Sequence, residues 1–394
     1  MDDTTVYLDH AATTPMLPVA IEAMTRHLGV VGNASSLHAA GRQARRVVEE
    51  SRETVAAALG CRPGEVVFTS GGTESDNLAV KGLFWARREE DARRTRILST
   101  AVEHHAVLDP LEWLAKEGGA DVELLAVDHL GRLDPAAVRE AVERDPASVA
   151  LISLMWANNE VGTLQPVHEV VALAAEHGIP VHTDAVQAVG SVELDVTGAG
   201  VDALTFTGHK LGGPYGVGGL VVRRNRRLTP LSHGGGQERD IRSGTLDVPA
   251  IAGLAAAVAW SVEHREEHAL RVAALRDTLV AGIREAVPDA TLNGDPTHRL
   301  PGNAHLTFPG CEGDSLLMLL DARGIACSTG SACSAGVAQP SHVLLAMGHG
   351  EEAARSSLRF SLGCTSTPDD VDAVVDAIGP AVERARAATA RVGR

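Results

Sequence analysis

Lysine is nearly missing from this chain. Of its 35 basic residues only Lys81, Lys116 and Lys210 are lysine; the rest are arginine. Either side chain serves as surface charge, but arginine stays protonated at working pH and cannot form a Schiff base. A retained lysine is therefore a place to ask whether a free amine is needed chemically. Positive charge is short overall: 51 acidic residues bring the formal net charge to −16. That balance argues against direct binding to nucleic acid or to an anionic membrane. No hydrophobic run suffices to cross a bilayer, since the most apolar stretch, Ala250 to Trp260, falls short of the ~18 residues required. The opening Met1-Asp2-Asp3-Thr4-Thr5 is acidic and polar where a secretory signal is basic and then apolar. The cysteines are Cys61, Cys311, Cys327, Cys333 and Cys364, an odd number without a CxxC pair. Neither a disulfide framework nor a structural zinc site is expected from them. Free thiols without an export signal predict a cytoplasmic protein.

What is present is an ordinary globular composition, 44% hydrophobic and 22% charged over 394 residues. A chain of this length suggests two domains and buries enough surface to fold without covalent staples. From about Glu65 to Arg223 short apolar runs alternate with helical stretches. The runs Glu65–Thr69, Arg96–Ser99, Glu123–Val127, Val149–Leu154, Pro180–Thr183, Ala203–Thr207 and Gly219–Val222 mostly lack polar alternation, as strands covered on both faces do. Helical patterns over Thr73–Arg88 and Pro166–His177 complete an α/β reading with a mainly parallel sheet. Beyond Pro249 a helical tract runs to about Ala286, broken by the charged cluster His264–His268. Strands at His305–Phe308, Ala326–Ser328 and Leu358–Ser361 follow, then a final helix capped by Thr367 with Pro368 in its first position.

Six segments could carry chemistry. Phe68-Thr69-Ser70-Gly71-Gly72-Thr73-Glu74-Ser75 follows a strand and opens a helix. Small residues there let backbone amides approach a phosphate, with a helix dipole behind them, although the motif taken alone reads first as a capped tight turn. It is neither GxGxxG nor a P-loop. Thr205-Phe206-Thr207-Gly208-His209-Lys210 ends another strand. Ligands of α/β sheets bind at strand ends. An amine there suits a Schiff base with an aldehyde cofactor such as pyridoxal phosphate; the alternative is a surface lysine before a glycine-rich loop. Val181-His182-Thr183-Asp184-Ala185-Val186-Gln187 offers a carboxylate that could pair with a pyridinium nitrogen, or simply cap a helix.

In Gly330-Ser331-Ala332-Cys333-Ser334-Ala335-Gly336 a thiol sits among small residues, as on a loop that presents it to a substrate. Such a thiol needs a nearby cation or base to react at neutral pH. Ser356-Ser357-Leu358-Arg359-Phe360-Ser361 places an arginine in an apolar strand. Its fork suits a substrate carboxylate or a structural ion pair. His104, in Glu103-His104-His105, could stack on a flat ring or shuttle protons. Nothing in the spacing of His104, His182 and His209 specifically supports a metal.

Taken in order, these segments resemble the cysteine desulfurases of the class V aminotransferase family. The resemblance runs through Tyr7-Leu8-Asp9-His10-Ala11-Ala12-Thr13-Thr14-Pro15, Gly32-Asn33-Ala34-Ser35-Ser36, Ser70–Asn77 and Asn158-Asn159-Glu160-Val161-Gly162. It continues in Gly208-His209-Lys210, Arg242-Ser243-Gly244-Thr245-Leu246, Gly330-Ser331-Ala332-Cys333 and Arg359-Phe360-Ser361, and so covers nearly the whole chain. It implies the α/β fold type I of enzymes that use pyridoxal 5'-phosphate. A large domain at 15–260 with a mainly parallel seven-stranded sheet would bind the cofactor. A smaller α/β domain, 1–14 with 261–394, would carry the cysteine loop.

It also implies roles. Lys210 would bond the cofactor aldehyde; Gly72, Thr73, Thr207 and His209 would hold its phosphate. Thr245 would reach the phosphate of a neighbouring subunit, making a homodimer. Asp184 would pair with the ring nitrogen, Gln187 and Asn158 with the ring oxygen and its surroundings, and His104 would stack on the ring. Arg359, with Asn33 nearby, would clamp the carboxylate of L-cysteine. Cys333 would take the sulfur as a persulfide, leaving L-alanine. The Gly-Ser-Ala-Cys spacing is similar to the long-loop desulfurases, which pass sulfur to an iron–sulfur scaffold or a tRNA thiolase. Cys327 would pack, or resolve the persulfide as a disulfide. The competing readings are a selenocysteine lyase or aminotransferase on the same fold, and a catalytically idle iron–sulfur assembly scaffold. A nicotinamide dehydrogenase lacks its glycine fingerprint.

Overall fold

The computed structural model describes residues 5–330 and 340–392. In the first part of the chain β1 (Val6–Tyr7), α1 (Pro18–Leu28) and α2 (Ala39–Leu59) precede a run of alternating elements. These are β2 (Val66–Thr69), α3 (Gly72–Glu90), β3 (Arg96–Thr100), α4 (His105–Trp113), β4 (Asp121–Leu125), α5 (Pro135–Arg144), β5 (Val149–Ser153), α6 (Val167–Glu176), β6 (Val181–Asp184), α7 (Val196–Ala199), β7 (Ala203–Thr207) and β8 (Gly218–Val222). The remainder comprises α8 (Val248–Glu263), α9 (Arg265–Ala286), β9 (Thr291–Leu292), β10 (Asn303–Thr307), α10 (Gly313–Asp321), β11 (Ile325–Ala326), α11 (His342–Ala346), α12 (Glu351–Arg355), β12 (Ser357–Ser361) and α13 (Pro368–Val392).

Seven strands form one sheet in the order β2-β8-β7-β6-β5-β3-β4, in which only β8 runs against its neighbours. All seven strands expected from the sequence are there, with shifts of up to two residues at their ends. The uninterrupted apolar runs have their explanation in the two faces. Val66, Phe68, Leu98, Ile152, Leu204 and Val221 point into a core with α2, α6 and α8. Their strand neighbours Val67, Ile97, Leu151, Ala203, Leu220 and Val222 point the other way, onto Leu78, Leu83 and Phe84 of α3 and Val107 and Leu111 of α4. A strand alternates sides every residue, so a sheet covered on both faces needs apolar residues at every position.

A separate core gathers Val272, Leu279 and Ile283 of α9, Ala304 and Leu306 of β10, Leu316 and Leu320 of α10, Leu358 and Phe360 of β12, and Val371, Val374, Ile378 and Val382 of α13. Leu8 belongs to it, because β1 pairs in parallel with β11. The break in the long helical tract is narrower than the charged cluster suggested. His264 alone caps α8, and Arg265 to His268 already form the first turn of α9.

The open edge of the sheet at β2 is closed by side chains. Arg52 of α2 donates to both carboxylate oxygens of Glu238, at 2.7 and 2.8 Å, and to the Val66 carbonyl at 2.7 Å. The same carboxylate accepts the Phe68 amide at 2.9 Å. Both residues are buried. Breaking such a pair from one side leaves an uncompensated buried charge. Arg52→Ala is therefore expected to cost about 3–5 kcal/mol, read as a lowered denaturant midpoint. An unchanged midpoint would show that β2 holds its place without the pair.

Candidate functional site

The ends of the parallel strands converge on one cavity of ≈ 430 Å³. β2 delivers Gly72 and Thr73, the turn after β3 His104, the turn after β5 Asn159 and Glu160, β6 Asp184 and the following Gln187, and β7 Thr207, His209 and Lys210. The second core closes it with Arg359 of β12 and with Ser328 and Gly330. Nine residues that the sequence singled out thus share one wall: Gly72, Thr73, His104, Asp184, Gln187, Thr207, His209, Lys210 and Arg359.

The Lys210 ammonium donates to the carbonyls of Ala11 and Ala12, at 2.5 and 2.6 Å. Burial, reinforced by Arg359, lowers its pKa from the usual lysine range to about 8. Gln187 Nε2 donates to that same Ala11 carbonyl at 3.0 Å. His104 caps α4: its Nδ1 accepts the Ala106 amide at 3.1 Å, so the neutral ring carries its proton on Nε2. Burial, then Lys210, lowers its pKa to about 4. Asp184 accepts the Val186 amide at 2.9 Å. Burial, then the neighbouring Asp76, raises its pKa to about 7.

At the other end of the cavity α3 begins at Gly72, where the first amides have no intrahelical acceptor. Gly71 holds φ at 149°, a conformation open to glycine. A Cβ on Gly72 would stand 3.1 Å from Val186 Cγ2 and crowd the wall. Thr207 lies against Gly71 and Gly72, and Thr73 and His209 line the same cavity, so this donor set could hold a phosphate.

Three expected residues are placed elsewhere. Asn158 is wholly buried and its amide is engaged: Nδ2 donates to the Val102 carbonyl, and Oδ1 accepts from the amides of Glu160 and Val161. Its neighbour Asn159 lines the cavity instead. Asn33 is exposed and accepts the Ser35 amide; Thr245 is exposed as well. Neither lines the cavity of this chain. Cys333 lies outside the described residues. Gly330, three positions before it, is in the wall, and Ser328 is tied to Arg359 by a backbone bond in each direction.

The motifs had assigned no role to Asp9, Glu160 or His342. Glu160 accepts from Ser341 Oγ and is pushed up to about 7 by burial; His342 donates from Nε2 to the Glu103 carbonyl at 2.9 Å. Only the position of Glu160, just past a strand end, could have flagged it. Cys327 packs in the second core, where burial pushes its thiol up to about 12.

The class-V aminotransferase family matches residues 6–374. The chain is 57% identical over 383 residues to the IscS-like cysteine desulfurase of Mycobacterium tuberculosis, covering 97% of each. It is 43% identical to the cysteine desulfurase IscS of Methanosarcina thermophila, covering 97% of this chain and 93% of the other. Among solved structures, a NifS-like protein superposes with a TM-score of 0.88 at 35% identity, over 96% of this chain and all of the other. SspA in complex with cysteine gives 0.78 at 35% identity, over 91% of this chain and 98% of the other.

Proposed function

The chain belongs to the class-V aminotransferase family as a cysteine desulfurase, and from that membership we propose that its cavity holds pyridoxal phosphate on Lys210 while Cys333 carries away the sulfur of L-cysteine. The observation that carries this reading is the convergence in one cavity of a lysine amine, a buried carboxyl, a neutral imidazole, a phosphate cradle and a guanidinium. The residues fit the cofactor: amides and hydroxyls for a dianion at one end, Asp184 for a ring nitrogen, and Lys210 for an aldehyde.

When bound, the cofactor supplies an aldehyde that accepts an amine and a conjugated ring that takes up the electron pair left at Cα. Arg359 fixes the substrate carboxylate. Lys210, with its lowered pKa, can take the Cα proton and return it near neutral pH. His104, which lines the cavity with its proton on Nε2, would lie against the ring. The Cys333 thiolate attacks the substrate sulfur; the S–S bond forms as the sulfur–Cβ bond breaks. Its electron pair stays with the carbon, which is protonated to give L-alanine. Incubation with L-cysteine and a thiol reductant is expected to yield alanine and sulfide in equal amounts. A keto acid in place of alanine would favour the aminotransferase reading.

The sulfur acceptor is an iron–sulfur scaffold or a tRNA thiolase. A homodimer is supported by Val30, Val31 and Leu37, which are 57%, 86% and 89% exposed beside Asn33. Among the described residues no helix is long and apolar enough to cross a membrane.

The amine makes a further prediction. Protonated Lys210 cannot attack an aldehyde, and its pKa of about 8 lies well below the lysine value of 10.5. The rate at which cofactor-free protein captures pyridoxal phosphate should therefore rise roughly tenfold for each unit increase in pH up to that pKa, and level off above it. Stopped-flow absorbance checks this; a rate still climbing beyond pH 9 would return Lys210 to the ordinary range.

A further inference from the structure

Arg359 enters the cavity with its guanidinium already engaged. Nη2 donates to Asp9 Oδ1 at 2.8 Å and Nη1 to the Asn159 carbonyl at 2.9 Å. The residue is 4% exposed, and its buried Nε has no partner among the described residues. Arginine is long and flexible, and its planar fork is useful only when its plane is set. Two of its three nitrogens are anchored here, and Asp9 supplies the charged anchor among the described residues.

Asp9 is itself held firmly. Its carbonyl accepts from the amides of Ala12 and Thr13 and from Tyr7 Oη, and it bridges to Ser361 of β12. The turn it opens also carries the Ala11 and Ala12 carbonyls that hold Lys210. One turn therefore fixes both groups that meet the two ends of an amino acid.

We propose that Asp9 is a positioning residue for substrate selection: its carboxylate oxygen sets the plane of the Arg359 guanidinium, so that the site favours α-amino acids over amines lacking a carboxylate. The inference rests on the proposed role of Arg359. Nothing in it requires the negative charge of Asp9 to touch the substrate; an acceptor oxygen at the same point suffices.

The test compares L-cysteine with cysteamine, which keeps the amine and thiol but has no carboxylate. It uses the cofactor-loaded enzyme and the Asp9→Ala, Asp9→Asn and Arg359→Ala variants. Binding of L-alanine, read by calorimetry, adds a measure independent of turnover. Asp9→Ala should raise the KM for L-cysteine and the Kd for L-alanine about tenfold or more, the loss of a hydrogen bond to a charged group. The kcat should stay within about threefold, since the interaction is made equally in ground and transition states. Cysteamine binding should not change. Asp9→Asn, which retains the acceptor oxygen, should recover most of the loss.

Parallel losses for L-cysteine and cysteamine would overturn the proposal, as would unchanged L-alanine binding in Asp9→Ala or an Asp9→Asn variant as weak as Asp9→Ala. If Arg359→Ala leaves L-cysteine binding intact, the underlying assignment of Arg359 fails. If Arg359→Ala weakens it while Asp9→Ala does not, only the role of Asp9 fails.

Discussion

Lys210→Ala is expected to leave a folded protein that loses pyridoxal phosphate on gel filtration and turns over L-cysteine at least about 10³-fold more slowly. Two functions disappear with one side chain: the covalent hold on the cofactor and the amine that moves the Cα proton. No other lysine can substitute. Lys81 lies over the Trp113 ring at 4.7 Å, and Lys116 pairs with Glu112 on the surface. Neither lines the cavity. Lys210→Arg sharpens the test, because it keeps a positive charge near the Ala11 and Ala12 carbonyls but cannot lose its proton. It should be as inactive as the alanine variant. Visible absorbance that survives gel filtration in either variant would place the bonding amine elsewhere.

Cys333→Ser should bind cofactor and L-cysteine as before, yet form no persulfide and release alanine roughly 10³-fold more slowly or worse, since a serine hydroxyl is a far weaker nucleophile than a thiolate. None of the four described cysteines lines the cavity, and desolvation disfavours their thiolates. Cys61 and Cys327 are both pushed up to about 12, and Cys311 and Cys364 are also raised, so little thiolate is present at neutral pH. Mass analysis of the intact protein after exposure to L-cysteine should show added sulfur on the wild type and none on the variant. Added sulfur on Cys333→Ser would transfer the carrier role to another residue.

Much of this site was legible in local patterns. Gly72, Thr73, Asp184, Thr207, His209 and Lys210 all lie where an apolar run ends and a polar turn begins. In a parallel sheet every such end comes out on the same edge. Asn158 shows the limit: its motif placed it beside the cavity, but neighbouring amides and the Val102 carbonyl engage its side chain, and Asn159 faces inward. Which of two adjacent asparagines faces a ligand depends on how the turn closes, and composition does not encode that. Asn33 and Thr245 lie on the exposed surface, away from the cavity of this chain.

The sequence by itself determined the alternation of strands and helices, the two-sided burial of the sheet and the small set of residues at its strand ends. Each of these follows from periodicity and steric preference within a few neighbouring residues. Only the tertiary structure decided that Asp9 would hold Arg359 across 350 positions, that the Ala11 and Ala12 carbonyls would receive the Lys210 amine, and that Glu238 would close the edge at β2. Those contacts join segments far apart in the chain that meet only once the strands and helices have packed around the two hydrophobic cores. No local pattern carries that distance.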